Sequence, residues 1–254
     1  MTYCVAIATD DGLVFCSDSR TNAGADVLST YSKMHVYNLD SDRMVVLLSA
    51  GNLATTQAVI NHLDNDMELE EGESLLSCKK ITDVAKYVAR VSREQQEHAK
   101  DSTGNAEINT SATFIVGGQI RGSAPSIYLI CSAGNYISVS DETSYLQIGE
   151  SKYGKPILDR ILGPGTGLED AARCALVSMD STIAANATVG PPIEILVYEN
   201  DTFESDHYIK LVAEDEYLLS LRRSWSEVIQ HAFRELPQFD WEKRSARVLK
   251  AIPD

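Results

Sequence analysis

The pattern of apolar and polar positions divides the chain into strand-like and helix-like segments. Two strands are predicted over 2–8 and 13–16, with the polar residues 10–12 between them forming a hairpin turn. Further apolar runs predict strands over 34–37, 44–48, 112–116, 127–131, 136–139, 145–148, 193–198 and 207–212. Apolar residues spaced by three and four predict helices over 53–63, 81–100, 155–162 and 168–185. This order of elements indicates an α+β protein.

Two other stretches change the picture of the domain. The acidic run over 67–73 is expected to be a solvated segment rather than a partner-binding patch. Beyond position 212 an apolar stripe recurs at helical spacing and ends before Pro237; its members are Leu218, Leu221, Trp225, Val228, Ile229, Ala232, Phe233 and Leu236. More apolar residues follow, at Phe239, Trp241, Val248, Leu249 and Ile252. We expect one domain over 1–254, with 213–254 as a helical extension that packs on its own core or contacts another subunit.

Composition and charge exclude several classes of partner. The chain has 254 residues and a formal net charge of −15, which argues against nucleic acid and anionic membranes as partners. Its five cysteines have no regular spacing and fit reduced thiols, and neither they nor the histidines have the spacing of a metal site. Neither a signal peptide nor a membrane-spanning run is recognisable. We therefore expect a cytoplasmic protein that needs no metal or cofactor.

Threonine at position 2 is the first candidate for chemistry. Removal of Met1 would give Thr2 a free α-amine beside its hydroxyl. A threonine hydroxyl becomes a useful nucleophile when a base takes its proton, and an N-terminal amine can be that base. Such an amine titrates at about 7.7–8.0 when unperturbed, close to neutral pH.

The hairpin turn decides which side chains accompany Thr2. A three-residue loop over Asp10, Asp11 and Gly12, with Gly12 in the left-handed conformation, would pair residue 8 with 14 and 4 with 18. It would also pair Thr2 with Arg20, so that Asp18 shares the face of Thr2. A two-residue loop would shift the register by one residue, which reverses every side chain of one strand and puts Asp18 away from Thr2. The three-residue loop is expected because it leaves a small, polar face beside Thr2 and turns the bulky residues towards the core.

Two later segments complete the candidate site. Lys33 precedes a predicted strand and could bring an ammonium towards Thr2, with Asp18 as its ionic partner. Such a cation lowers the pKa of a nearby hydroxyl and amine, and the carboxylate offsets the cost of burying it. Gly51 ends another apolar run, where a glycine can bring its backbone N–H close to a developing oxyanion.

Taken together, these residues resemble the proteasome β-subunits among the N-terminal nucleophile hydrolases. The resemblance is carried by Thr2, Asp18-Ser19-Arg20, Lys33 and Ser49-Ala50-Gly51, in that order. The start Thr-Tyr-Cys-Val, the segment 18–24, the lack of a propeptide and the long C-terminal extension resemble the bacterial Anbu (ancestral β-subunit) branch more closely. The resemblance covers roughly residues 2–212. It implies a four-layer αββα sandwich of two antiparallel sheets, no cofactor and a homo-oligomer, either a ring or an open helical assembly.

The resemblance also implies roles for six residues. Thr2 supplies the nucleophilic hydroxyl and the proton-accepting amine, and Lys33 lowers the pKa of both groups. Asp18 orients Lys33, and the Gly51 N–H donates a hydrogen bond to the oxyanion. Ser151 stands where the family keeps a serine near the amine, and Asp180 where a supporting aspartate follows. The sequence departs from the family at Lys152, Ile183 and Ala184, where glycine, serine and glycine are usual. Ser181 or Thr182 is the substitute that the sequence offers for that serine.

The implied function is a threonine peptidase acting on peptides or proteins. By analogy, Thr21, Ser32 and Ser49 line its substrate pocket. Two alternatives remain open: a small-substrate amidase that uses the same nucleophile, and an assembling structural subunit that never frees Thr2. The sequence leaves open whether an ATP-driven unfoldase feeds the protein.

Overall fold

The computed structural model describes residues 1–22, 28–39, 41–69, 72–103, 108–140 and 142–240. The chain divides into two compact units, Met1–Ala213 and Glu214–Asp254. The apolar residues expected to follow Phe239, from Trp241 to Ile252, lie outside the described residues, as do positions 23 and 24 of the segment 18–24.

The first unit contains two five-stranded antiparallel sheets, a short two-stranded ribbon and four helices among its described residues. Its strands are β1 (Tyr3–Ala8), β2 (Gly12–Asp18), β3 (Arg20–Asn22), β4 (Leu28–Thr30), β5 (Met34–Leu39), β6 (Arg43–Gly51), β7 (Ala112–Ile120), β8 (Ser126–Ile130), β9 (Tyr136–Ser138), β10 (Tyr145–Gly149), β11 (Ile193–Glu199) and β12 (Tyr208–Leu211). Its helices are α1 (Leu53–Leu69), α2 (Ile81–Thr103), α3 (Lys155–Ile161) and α4 (Leu168–Ala185). The strand order is β10-β1-β2-β11-β12 in the first sheet and β5-β6-β7-β8-β9 in the second.

The apolar residues form two cores that fix the order of the layers. One core lies between the sheets and joins Phe15 and Leu196 of the first sheet to Met44 and Ile115 of the second. The other lies between the second sheet and the helices α1 and α2. Helix α4 packs on β1, β2 and β11 of the first sheet, and α3 packs on α4. The layers are therefore helix, sheet, sheet, helix, as expected for the αββα sandwich.

The helix α1 is longer than the sequence pattern indicated. It continues to Leu69, so positions 67–69 of the acidic run are helical, while positions 70 and 71 lie outside the described residues. Two polar residues late in α1 make tertiary contacts. Asp64 accepts a hydrogen bond from the Tyr37 hydroxyl, and Asp66 accepts one from the Tyr87 hydroxyl. These tyrosine contacts explain why a helix with few apolar residues in its last turns extends beyond Leu63.

The predicted register of the first hairpin is wrong by one residue. Cys4 pairs with Ser17 and Ala8 with Leu13, so the four residues 9–12 follow the last pair, and Gly12 among them is already the first residue of β2. Thr9 belongs to the turn, since its N–H donates to the Gly12 carbonyl at 2.9 Å and its hydroxyl accepts from the Gly12 N–H at 3.2 Å. This slip places Cys4 and Ala6 on the same face as Leu13 and Phe15, in the core between the sheets.

The second unit is described as far as residue 240 and contains the helix α5 (Glu216–Arg234). Asp215 caps it, because its side chain accepts hydrogen bonds from the backbone N–H groups of Tyr217 and Leu218. Several large apolar side chains of this unit are exposed, among them Val228 at 60%, Phe233 at 72% and Leu236 at 57%. Across the described part of the chain, no helix has both the length and the apolar character that a bilayer crossing requires.

Candidate active site

The centre of the candidate site is an ion pair between Lys33 and Asp18. Lys33 Nζ lies 2.7 Å from Asp18 Oδ1, and both residues are buried. Lys33 Nζ also donates to the Arg20 carbonyl at 2.7 Å. Alternation along β2 assigns Asp18 to the face opposite Phe15, so the hairpin register does not bring it to the lysine. Asp18 meets Lys33 because it is the last residue of β2, where its carboxylate lies beside the start of β1.

Backbone donors hold the carboxylate of Asp18 in place. Its Oδ1 accepts from the Tyr3 N–H at 3.0 Å, and its Oδ2 accepts from the Gly190 N–H at 3.2 Å. Burial raises the pKa of Asp18 above its ordinary value, and the Lys33 ammonium and these backbone donors oppose that shift. The carboxylate is thus tied at once to β1, to the loop before β11 and to the lysine.

A tight contact with β10 positions the N-terminal segment. The Glu150 N–H donates to the Thr2 carbonyl at 2.7 Å. Gly149 has a φ of +82°, and a β-carbon there would lie 1.9 Å from the Thr2 carbonyl oxygen, so only glycine permits this approach. Burial and the Lys33 ammonium lower the pKa of the Met1 α-amine below its ordinary value, while the carboxylates of Asp18 and Glu150 oppose the shift.

Thr2 and Lys33 open into a cavity of 890 Å³. Gly51 lines it at the end of β6, where φ is +117° and a β-carbon would lie 2.3 Å from the Ser111 carbonyl oxygen. Ser49 lies two residues earlier, and its N–H donates to the Lys33 carbonyl at 2.9 Å, which fixes the start of β5 against β6. The cavity therefore brings together a threonine, a buried ammonium and a glycine in a conformation reserved for glycine.

The three residues expected to contact substrate all line this cavity, although one of them is engaged elsewhere. Thr21, Ser32 and Ser49 are on its wall. The Ser32 hydroxyl lies 2.8 Å from both the Met34 carbonyl and a carboxylate oxygen of Glu194, so it is a structural contact as much as a cavity wall.

Another part of the cavity wall was not anticipated from the sequence. It is formed by His35 of β5 and by α1, which contributes the polar Thr56, Gln57 and Asn61 together with the apolar Leu53 and Ile60. Burial lowers the pKa of His35 below its ordinary value, and the carboxylates of Asp64 and Glu194 oppose that shift. This wall has groups that can donate and accept hydrogen bonds to a bound peptide side chain.

Three of the sequence-predicted site residues do not line the cavity: Asp18, which contacts Lys33 Nζ, and also Ser151 and Asp180. Ser151 follows the contact of Glu150 with Thr2, and its own N–H donates to the Gly149 carbonyl at 3.1 Å. Asp180 is buried in α4. Of the two possible substitutes for the missing family serine, Thr182 donates its hydroxyl to the Ser178 carbonyl at 2.9 Å within α4. Its hydroxyl is therefore used by the helix itself, while Ser181 is half-buried.

Tyr3 and Arg20, which lie beside the candidate site, contact residues that are distant in sequence. The Tyr3 hydroxyl lies 2.5 Å from the Ser178 hydroxyl and accepts from Gln147 Nε2 at 2.6 Å, which anchors β1 to α4 and β10. At Gly190 a β-carbon would lie 2.3 Å from the Arg20 guanidinium. The sequence offers no signal for these contacts beyond a glycine in a loop, because each joins segments more than 140 residues apart.

The neighbouring cysteines are poor candidates for a competing nucleophile. Cys4 and Cys16 are fully buried in β1 and β2. Burial raises the pKa of both thiols, so the nucleophilic thiolate is disfavoured. Within the described ranges, no group of three or more His, Cys, Asp or Glu side chains is arranged to hold a metal ion.

Comparisons with known proteins all find similarity to proteasome subunits or to Anbu proteins. A family model described as a proteasome subunit matches residues 2–198. A proteasome subunit beta from Methanothrix thermoacetophila is 23% identical over 206 residues, covering 80% of this chain and 90% of that protein. The Anbu (ancestral beta-subunit) structure from Yersinia bercovieri is 37% identical, with a TM-score of 0.88 over 94% of this chain and 99% of its own. The helical assembly of the Anbu complex from Pseudomonas aeruginosa is 43% identical, with a TM-score of 0.88 over 94% and 98% of the two chains.

Proposed function

Because the chain belongs to the proteasome subunit family, we propose that it is a threonine-type peptidase that cleaves peptide or protein amide bonds through Thr2 once Met1 has been removed. The observation that carries this proposal is the cavity in which Thr2 lies beside the buried Lys33–Asp18 pair. A buried ion pair is costly to maintain, so its position at the wall of a cavity supports a chemical role.

The proposed reaction uses groups of this chain and one water molecule. The α-amine of Thr2 accepts the hydroxyl proton as the oxygen attacks the scissile carbonyl. The Lys33 ammonium favours the unprotonated amine and the deprotonated oxygen, and Asp18 holds the ammonium. The Gly51 N–H donates to the oxyanion, the leaving amine departs with a proton, and the peptide acyl group remains as an ester on Thr2. Water then attacks the ester and releases the acid, which restores the hydroxyl.

Ser151 and Asp180 stay in the proposal as supporting residues rather than groups that touch substrate. Ser151 lies next to the Glu150 contact that fixes Thr2, and Asp180 lies in the helix that anchors Tyr3. The free thiols support our further proposal of a reducing compartment such as the cytoplasm.

Covalent labelling with a peptide electrophile directed at N-terminal threonine tests the proposal. Intact mass before labelling establishes whether Met1 has been removed, since a retained Met1 makes the nitrogen of Thr2 an amide. We expect the processed protein to gain one adduct per chain, Thr2→Ser to be labelled more slowly, and Thr2→Ala not to be labelled. Equal labelling of the wild type and Thr2→Ala would refute the role of Thr2.

The same experiment separates the two alternatives. A chain that retains Met1 and is not labelled would be an assembling subunit rather than a hydrolase. A labelled chain that turns over small amides but not peptides would be an amidase. We expect turnover of peptides, because the cavity that Thr2 lines also has His35 and residues of α1 on its wall, where a peptide side chain could bind.

We also propose that the protein is a homo-oligomer in which α5 contacts a second copy. The relative from Pseudomonas aeruginosa forms a helical assembly, which supports association of this chain with itself. Side chains on one stripe of α5 are exposed although they are apolar, Val228 at 60% and Ile229 at 46% among them. An exposed apolar face of this kind usually marks an interface.

A charge on this face should disrupt assembly. We expect Val228→Glu to reduce the molar mass measured by light scattering after size exclusion, because a carboxylate would be buried without a partner. Gln230→Glu is the matched control, since it adds the same charge on the opposite side of the helix. A mass unchanged by Val228→Glu would remove this face from the interface.

A further inference from the structure

A second buried carboxylate lies close to the candidate site. Glu194 of β11 is 1% exposed and pairs with Ser17 of β2, one position before the end of that strand. Leu196, two residues along β11, belongs to the core between the sheets, so alternation turns Glu194 towards the second sheet. The carboxylate therefore points to the gap where β5 begins and Lys33 lies.

One oxygen of Glu194 joins the two segments that carry the ion pair. Its Oε2 accepts from the Ser19 hydroxyl at 3.2 Å and from the Ser32 hydroxyl at 2.8 Å. Ser19 follows Asp18 directly, and Ser32 precedes Lys33 directly. The same carboxylate oxygen thus connects the chain immediately after Asp18 to the chain immediately before Lys33.

The other oxygen of Glu194 makes contacts that do not involve the site. Its Oε1 accepts from the Tyr208 hydroxyl at 2.7 Å and lies 3.4 Å from Lys210 Nζ. Both partners belong to β12, the edge strand of the first sheet. Oε2 therefore contacts the segments beside the ion pair, whereas Oε1 contacts the edge strand of the sheet. Variants that remove contacts to Oε1 can serve as controls for variants that remove contacts to Oε2.

We propose that Glu194 is a positioning residue for the reaction assigned to Thr2. Through its hydrogen bonds with Ser19 and Ser32 it keeps the Lys33 ammonium in contact with the Asp18 carboxylate. The inference rests on the proposed function for its kinetic consequence. A buried carboxylate with hydrogen-bonding partners is expensive to keep, and an apolar side chain at this strand position would stabilise the sheet at lower cost. The two segments are already joined by the Tyr31 N–H, which donates to the Ser19 carbonyl at 3.0 Å, and by the β3–β4 ladder. Glu194 adds an anchor from β11 to both segments, and this explains a buried carboxylate beside the ion pair.

The test compares the loss of contacts on the two oxygens of Glu194. Ser19→Ala and Ser32→Ala each remove one donor to Oε2, whereas Tyr208→Phe removes one donor to Oε1. We expect the first two to slow the maximal rate of Thr2 labelling roughly ten- to a hundredfold, because small misplacements of a reacting group have effects of this size. Tyr208→Phe should label at the wild-type rate, and the apparent affinity for the electrophile should be unchanged in Ser19→Ala, whose hydroxyl is buried outside the cavity.

The pH profile distinguishes positioning from a purely structural role. A displaced Lys33 ammonium lowers the pKa of the α-amine less, so the midpoint of the labelling rate should move to higher pH in Ser19→Ala and Ser32→Ala. Glu194→Gln keeps an acceptor for both serines and should restore most of the rate that Glu194→Ala loses. Equal thermal destabilisation by all three hydroxyl deletions, with unchanged rate and pH midpoint, would overturn the proposal.

A structural readout separates failure of this inference from failure of the proposed function. If the processed wild type is not labelled, the role of Thr2 is refuted, yet crystal structures of the variants still test Glu194. We expect the 2.7 Å distance from Lys33 Nζ to Asp18 Oδ1 to lengthen in Ser32→Ala and to persist in Tyr208→Phe. An unchanged distance in both variants would refute the positioning role, and Ser19→Ala provides the same test should Glu194→Ala not fold.

Discussion

The buried pair of Lys33 and Asp18 should behave as one energetic unit, which a double-mutant cycle can measure. The perturbations are Lys33→Met, Asp18→Asn and the two together. Each single change leaves a largely buried charge without its partner, since Asp18 is 0% and Lys33 is 7% exposed. Breaking a buried pair in this way costs about 3–5 kcal/mol of unfolding free energy.

The double variant should lose less stability than the sum of the singles. If the two residues were independent, the combined loss would be about 6–10 kcal/mol. Replacing both charges leaves no buried ion, so the loss should be no larger than that of either single variant. Some loss remains because Lys33 Nζ also donates to the Arg20 carbonyl, and an unsatisfied carbonyl costs about 1–3 kcal/mol.

Urea unfolding at neutral pH and one fixed protein concentration is the assay, because association changes apparent stability. The midpoint and slope of each transition give the four free energies of the cycle. Additive losses would refute the idea that the two residues form a coupled pair. Labelling of Thr2 supplies a second, independent comparison: it should be slow in the singles and remain slow in the double variant, which separates the chemistry of the pair from its effect on folding.

Three further predictions concern the pH dependence and two glycines. The labelling rate of the processed protein should rise with pH to a midpoint below about 7.7–8.0, the ordinary range for an α-amine, because burial and Lys33 lower the pKa of the α-amine of Met1 at this end of the chain. Lys33→Met should move the midpoint upwards, and an unchanged midpoint would contradict this reasoning. Gly51→Ala should slow labelling roughly a hundredfold by displacing an oxyanion donor, since its β-carbon would lie 2.3 Å from a backbone oxygen. Gly122→Ala, with φ of +83° and open space around it, is the control for backbone strain alone. Gly149→Ala should unfold at a lower temperature than Gly122→Ala and label more slowly, because its β-carbon would lie 1.9 Å from the carbonyl oxygen of the nucleophilic residue; equal behaviour of the two variants would refute the tight contact with β10.

Much of the fold is accessible from the sequence because its elements are strongly periodic. The strand at 112–116 was found but is four residues longer, and the helix predicted over 81–100 extends to Thr103. The layer order followed from the resemblance rather than from periodicity. Element boundaries moved where polar residues make tertiary contacts, as Asp64 and Asp66 do at the end of α1.

The first hairpin illustrates why local reasoning about the site has limits. A preference for a polar face beside Thr2 favoured a three-residue loop, but hydrogen bonds of Thr9 select a four-residue loop. Asp18 still meets Lys33, because the end of a strand leaves its side chain free to turn towards a neighbour. The correct pair was thus inferred from an incorrect register.

The remaining parts of the site depend on contacts that no local pattern encodes. Gly190 donates to Asp18 across 172 residues, and Glu194 accepts from Ser32 across 162. Only the packing of β11 against β2 brings these groups together, and a single glutamate in an apolar strand carries no sign of its partners. A buried charge in a strand interior is the one sequence feature that could have marked Glu194, since such residues are seldom buried without partners.

The position of Thr2 links folding, processing and chemistry in this protein. The Thr2 carbonyl accepts from the Glu150 N–H and the Tyr3 N–H donates to Asp18, so the peptide group that follows Thr2 is held by two contacts that do not involve Met1. Processing therefore changes the chemistry of one nitrogen without requiring the fold to rearrange. With Met1 attached, that nitrogen is an amide and cannot accept a proton; once Met1 is removed, it is an amine beside a buried ammonium. Under the proposed function, the same fold would be inert with Met1 attached and a hydrolase without it, so that the cleavage of a single peptide bond would separate the two states.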